Sequence, residues 1–241
     1  MQNIFKSCFV LLLLTFVSCK KEEADKLKVI YKAPAKTQAV VRDSLQVLIA
    51  DLPVQMPGTN YLIYPIASMN IYEKSIKSSY GSSSSNNEMS FNISNYSDNE
   101  ITGYLQNLKF QEVSSDSLKS LTDKPVLIQT VTYLKSVFDK SKQQLLVYTL
   151  ADSDTNMDGK LDNNDIKSLY ISEISGENFT KLSLDFQELI DWNIVESNNH
   201  LYFRTIEDTN KNGKFDKNDI IHYHFADLSN KDWKVSDYSP I

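Results

Sequence analysis

The residues of this chain best suited to chemistry are oxygen donors set at fixed intervals. The stretch DTNMDGKLDNND, Asp154 to Asp165, returns fifty-four residues later as DTNKNGKFDKND, Asp208 to Asp219. Counted from its first aspartate, each dodecamer has a side-chain oxygen at positions 1, 3, 5, 9 and 12. These are Asp154, Asn156, Asp158, Asp162 and Asp165 in the first, and Asp208, Asn210, Asn212, Asp216 and Asp219 in the second. Glycine occupies position 6 of both (Gly159, Gly213), and an apolar residue, Leu161 or Phe215, occupies position 8. Calcium takes roughly six to eight oxygens at about 2.3–2.6 Å, and a loop offers them from alternating positions because neighbouring side chains point apart. Glycine at position 6 allows the sharp turn that brings the position-7 carbonyl inward. The backbone carbonyls of Lys160 and Lys214 are therefore expected ligands, since an ammonium cannot bind a cation. Position 8 is expected to tuck into the core and fix the loop.

These spacings predict two calcium sites. Magnesium prefers tight octahedral geometry with retained waters, and zinc prefers His or Cys, so the donor set favours calcium. Asn212 carries one negative charge fewer than Asp158, which predicts weaker binding in the second loop. A register beginning at Asp152 would put Met157 where glycine is required, so the first site starts at Asp154. The bland alternative is a pair of ion-free turns, because Asn, Asp and Gly favour turns on their own account. That alternative leaves several carboxylates crowded in one loop without a counter-ion.

The dodecamers resemble the calcium loops of dockerins and EF-hands, and Asp at position 12 is nearer the dockerin form. Both families follow the loop with a helix. Here IKSLYISEIS and IIHYHFADL alternate and carry β-branched and aromatic residues, which predicts strand-loop-strand sites and removes the basis for cohesin binding.

Other chemistry is sparse. His222 and His224 are two apart on an expected strand and share a face, but no Cys accompanies them, so ordinary strand packing is the expectation. His200 stands alone in a polar turn. Asp191-Trp192 and Asp232-Trp233 have the residue types of a sugar-stacking surface, with a structural role the simpler account. No Gly-x-Ser-x-Gly, His-Glu-x-x-His or glycine-rich phosphate loop is present. No catalytic residue is assigned.

The N-terminus sets the compartment. MQNIFKSCFVLLLLTFVSCKKEE has a single Lys6, an apolar run from Cys8 to Val17 too short to span a bilayer, and a small residue before Cys19, the order of a secretory signal over residues 1–18. Phe16-Val17-Ser18-Cys19 resembles the lipobox of bacterial lipoproteins, which implies that Cys19 is acylated and tethers the protein to the outer membrane. Lys20-Lys21-Glu22-Glu23 resembles the surface-export tag of lipoproteins of the Bacteroidota; a solvated tether is the alternative. Residues 19–37 are expected to be that tether, and 38–241 one β-rich domain.

Composition agrees. The chain has 25 Lys and Arg against 31 Asp and Glu, and removal of Lys6 with the leader leaves a formal charge of −7. Such a balance argues against nucleic-acid binding, which draws on clustered cations. The only cysteines are Cys8 and Cys19, so the mature chain has neither disulfide nor catalytic thiol. Stability must come from a core, from bound metal, or from both.

The elements that carry the loops read as strands. NYLIYPIASM, EMSFNIS, EITGYLQNLKFQEV, VLIQTVTYL, QLLVYTL, SLYISEIS, HLYFRTI and IIHYHFADL are short runs rich in aromatic and β-branched residues, bounded by polar turn clusters. RDSLQVLIADLP is either a short helix capped by Asp43 or Ser44, or a strand. SSYGSSSSNN, Ser78 to Asn87, is a low-complexity polar insert expected to be mobile.

Residues 137–183 align on 193–236, pairing Leu145 with Leu201, Thr149 with Thr205 and Ile166 with Ile220, in the order strand, strand, dodecamer, strand, turn. SLYISEISGENFTKLS resembles the closing strand and turn of TolB-type propeller blades, although DWNIVESNNH stands where their Trp-Ser-Pro-Asp-Gly segment would be. The expected fold is all-β and mainly antiparallel, a small or incomplete propeller-like repeat array, with an irregular sandwich as the alternative. The function these signals imply is a lipid-anchored, extracytoplasmic calcium-binding module with a structural or partner-binding role. A glycan-active hydrolase and an accessory subunit of an envelope complex are the alternatives, with a glycan or an envelope protein as partner.

Overall fold

The computed structural model describes residues 27–31, 46–70 and 92–241. Cys19, the leader, Lys20 to Glu23, the capping candidates Asp43 and Ser44, and the insert from Ser78 to Asn87 lie outside these residues. So does most of EMSFNIS.

Fourteen strands and one short helix are present among the described residues. They are β1 (Gln46–Ala50), β2 (Val54–Gln55), β3 (Tyr61–Asn70), β4 (Ser94–Ser97), β5 (Glu100–Glu112), β6 (Leu118–Ser120) and β7 (Leu127–Tyr133). Then follow α1 (Lys135–Ser141), β8 (Leu145–Ala151), β9 (Ser168–Glu173), β10 (Thr180–Lys181), β11 (Gln187–Val195), β12 (His200–Glu207), β13 (Ile220–Asp227) and β14 (Val235–Asp237). They form two antiparallel sheets. The larger runs β1-β3-β5-β7-β8-β9-β10, with β2, β4 and β6 paired at its flanks; the smaller is the meander β11-β12-β13-β14. The all-β, antiparallel expectation is met.

Strand β8 explains how the two sheets share a core. Its sequence LLVYTLA is apolar but for Thr149 rather than alternating, and every residue of it is buried. Leu146, Tyr148 and Leu150 face a cluster with Ile63, Leu105, Phe110, Ile128 and Val131, built from the large sheet. Leu145 and Val147 point the other way, into a second cluster with Leu169, Ile171, Leu201, Phe203, Ala226 and Trp233 that joins the two sheets. A strand covered on both faces reads as a continuous hydrophobic run, whereas β12, half-buried in pattern, alternates. Inside the first cluster the Tyr148 hydroxyl is matched with Ser172 Oγ at 2.6 Å, so the one polar atom of a fully buried ring is satisfied.

Several expectations need correction. The stretch around Gln46–Ala50 is strand and not helix, because it pairs along its whole length with Asn70–Ile66. Asp51 then ends the strand, its carboxylate accepting from the amides of Leu52, Ile93 and Ser94 and from the Ser94 hydroxyl. The strand expected within EMSFNIS starts only at Ser94 and runs through SNYS, held by β5. The repeat is unequal at its start: Val137–Ser141 lies in α1, while the aligned Asn193–Val195 ends β11. Strand β11 itself carries no clean alternation, because a bulge between Leu189 and Asp191 reverses its facing and leaves Ile190 exposed. The aligned Leu145 and Leu201, and Thr149 and Thr205, are all buried, but Ile166 is 3% exposed and its counterpart Ile220 is 53% exposed.

Candidate metal centre

Each dodecamer links two adjacent strands, the first β8 to β9, the second β12 to β13. The strand-loop-strand setting expected from the flanking sequence is therefore the one observed.

Within the first loop the Asp154 carboxylate accepts from the amides of Asp158 (3.1 Å) and Gly159 (2.8 Å). Asn156 Oδ1 accepts from Asp158 N, Asp158 Oδ1 from Lys160 N, and Asp162 Oδ1 from Asn164 N, at 3.0, 2.9 and 2.7 Å. Asp165 closes the ring, Oδ2 accepting from Asp162 N at 2.9 Å and Oδ1 from Thr155 N at 2.8 Å.

The second loop repeats all seven bonds at the same positions. Asp208 accepts from Asn212 N (3.1 Å) and Gly213 N (2.6 Å), Asn210 from Asn212 N (2.9 Å), and Asn212 from Lys214 N (2.8 Å). Asp216 accepts from Asn218 N (2.8 Å), and Asp219 from Asp216 N (2.8 Å) and Thr209 N (3.2 Å). Position 4 has positive φ in both (Met157 57°, Lys211 55°), as has glycine at position 6 (Gly159 82°, Gly213 83°). The left-handed conformation at position 6 is the reason for glycine there.

The donors at positions 1, 3, 5, 9 and 12 are thus all folded back over their own loop. A carboxylate oxygen that accepts one or two amides keeps lone-pair capacity, and every donor is a hard oxygen, so the set suits calcium chemically. None of the seven loop aspartates forms an ion pair with a described Lys, Arg or His. Asp165 is 2% exposed, and burial pushes its carboxyl upward against the pull of three amides, with the charge of Asp154 adding to the rise. A buried carboxylate without a cation is the state that a divalent ion relieves. Carboxylates alone do not make the cage: among the described residues no three His, Cys, Asp or Glu converge closely enough to hold a metal. An ion here would have to draw also on Asn156, Asn210 and Asn212 and on carbonyls such as those of Lys160 and Lys214.

Position 8 departs from expectation. Leu161 and Phe215 are only half-buried and join neither core cluster. What seats the first loop instead is Thr155 at position 2, whose hydroxyl accepts from Ile166 N at 2.9 Å and donates to the carbonyl of Lys28 at 2.7 Å.

That last bond reveals a feature unread in the sequence. Within the segment expected to be a free tether, Leu27 to Tyr31 lies against both loops. The amides of Lys28 and Val29 donate to Gly213 O at 2.8 and 3.3 Å, and that of Ile30 to Thr155 O at 2.9 Å. Val29 is buried, and Lys28 Nζ meets Glu188 Oε1 at 2.7 Å, while Glu188 Oε2 accepts from Lys167 N just beyond the first loop. Tyr31 packs on Phe186; burial and a hydrogen bond to Asp208 push its hydroxyl up to about 12.

The remaining candidates resolve simply. Asp152 is engaged by Tyr170 Oη and Lys181 Nζ, both at 2.7 Å, which leaves Asp154 to begin the site. His222 Nε2 lies 2.8 Å from Glu207, and both ring nitrogens of His224 are engaged, with Asp237 at 2.6 Å and Thr205 at 3.0 Å. The pair shares a face but serves strand packing. Trp233 is buried in the second core, Trp192 packs against it, and Asp191 pairs with Arg204. No helix among the described residues is long and apolar enough to cross a membrane. Compared with known proteins, the chain matches no family model and no curated protein.

Proposed function

We propose that the protein is a lipid-anchored, extracytoplasmic calcium-binding module, in which one ion in each dodecamer ties β8 to β9 and β12 to β13. The observation that carries this reading is the duplication of seven hydrogen bonds at identical positions of two loops in different sheets. In each loop these bonds hold hard oxygen donors at positions 1, 3, 5, 9 and 12, the donor chemistry that calcium takes.

An ion bound to the native state alone stabilises it by RT ln(1+[L]/Kd), about 2.7 kcal/mol at a hundredfold excess over Kd. The chain's own residues do the rest: the amides at positions 2, 5, 6, 7, 9 and 11 hold each donor in place before the ion arrives. The role is structural or partner-binding, with acylated Cys19 as the attachment to the outer membrane.

Calorimetric titration of the acyl-free protein with calcium tests the reading, with melting followed in calcium and in EGTA. Binding heat for two sites and a melting temperature lowered by chelator are expected, with magnesium a poor substitute. Absence of heat together with an unchanged melting temperature would overturn it. Incorporation of labelled lipid into the native chain but not into Cys19→Ala tests the anchor separately.

A further inference from the structure

We infer that calcium in the two loops latches the segment Leu27 to Tyr31, so that the ion sets how far the domain stands from its lipid anchor. The inference rests on the calcium reading above and adds to it a regulated partner for the loops, namely this chain's own N-terminal strap.

The strap touches both dodecamers. It donates two amides to the carbonyl of Gly213 at position 6 of the second loop and one to the carbonyl of Thr155 at position 2 of the first, and it accepts the Thr155 hydroxyl. The same two residues hold ligand oxygens through their own amides, Thr155 N to Asp165 and Gly213 N to Asp208. Residues whose amide binds a donor oxygen and whose carbonyl binds the strap carry the two events together. Asp165 and Asp208 are each only 2% exposed, and Tyr31 of the strap hydrogen-bonds Asp208. Loss of the ion would release the donor oxygens that Thr155 and Gly213 hold, and so loosen the strap. By reciprocity, a docked strap raises the affinity of both loops for the ion.

The consequence is a length. Leu27 lies eight positions beyond Cys19. An extended chain reaches at most about 3.5 Å per residue, so latching holds the loop end of the domain within about 28 Å of the acylated residue, and release lifts that limit. Lys28 also lines an open groove of about 510 Å³ together with Tyr104, Gln129, Asn163, Lys167 and Glu188, so release removes one wall of it.

Amide hydrogen exchange on the full lipidated chain in phosphatidylcholine vesicles tests the latch, with a terbium titration of the same sample to report ion binding. The amides of Lys28, Val29 and Ile30 are expected to exchange at least tenfold faster in EGTA than in calcium, with a smaller change for Thr132 and Val147 in the β7–β8 ladder. Equal strap rates in the two conditions overturn the latch: the site reading survives that failure if terbium binds, and both fall if it does not. Val29→Asp, which expels the strap without altering a donor, is expected to weaken binding in both loops by about tenfold, and unchanged affinity in both also overturns the latch. Should that variant fail to fold, the exchange measurement on the native chain still decides.

Discussion

Gly213 and Val29 are in contact through the backbone: a Cβ on Gly213 would stand 2.6 Å from the Val29 carbonyl oxygen. Two constraints meet at this glycine, since its φ of +83° also disfavours any side chain. Gly213→Ala is expected to cost about 1–3 kcal/mol. At about 2–4 °C per kcal/mol for a chain of this size, thermal melting in calcium resolves the loss. A melting point within 1 °C of the native protein's, at about the precision of the measurement, would show that neither constraint acts at this glycine.

Asn212 is the one donor position at which the loops differ in charge. Asn212→Asp keeps the oxygen that accepts Lys214 N and restores the carboxylate found at Asp158. Calorimetry is expected to show the weaker of two calcium sites tightening several-fold toward the stronger, and no change would remove the charge argument for unequal sites.

Thr205 is fully buried between Gln187 and His224, its hydroxyl 2.6 Å from Gln187 Oε1 and 3.0 Å from His224 Nε2. Valine has the same shape without the hydroxyl, so Thr205→Val leaves two buried polar groups unmatched. A loss of about 1–3 kcal/mol in urea unfolding is expected, largely recovered by Thr205→Ser.

Asp51 ties β1 to the start of β4. Burial raises its carboxyl, but the Ser94 hydroxyl and the amides of Leu52, Ser94 and Ile93 outweigh burial and hold it below the ordinary carboxylate value. A group lowered on folding contributes stability that is present above its unfolded pKa and lost as pH falls through the folded one. Asp51→Asn is therefore expected to lower stability by about 1 kcal/mol near neutrality. The gap from the native protein should narrow below about pH 4, where the native carboxyl itself takes up a proton. A gap that stays constant from neutral pH to acid would assign the effect to shape and not to charge.

Much of the larger architecture was legible. The aromatic and β-branched runs marked β3, β5, β7, β8, β9, β12 and β13, because such residues pack well on a pleated, half-buried surface. Strands β10 and β14 are too short to carry a period, and β11 hides its period behind a bulge. Gln46–Ala50 has a composition that suits helix or strand, and pairing with β3 chose between them. Leu161 and Phe215 misled for a related reason: an apolar residue in a loop is buried only if a neighbour covers it, and here the neighbour that seats the first loop is the hydroxyl of Thr155.

By itself the sequence determined the inner arrangement of the dodecamers. All seven bonds in each loop join residues at most ten apart, so spacing, glycine and short polar side chains suffice to specify them, and the same text yields the same ring twice. Tertiary structure alone decided what the rings hold on to. The strap reaches Thr155 across 127 residues and Glu188 across 160, and such contacts exist only after β8, β11 and the smaller sheet have been packed on one core. Local bonding is written in neighbouring residues, whereas the surface that receives a distant segment is created by burial, which depends on the whole chain at once.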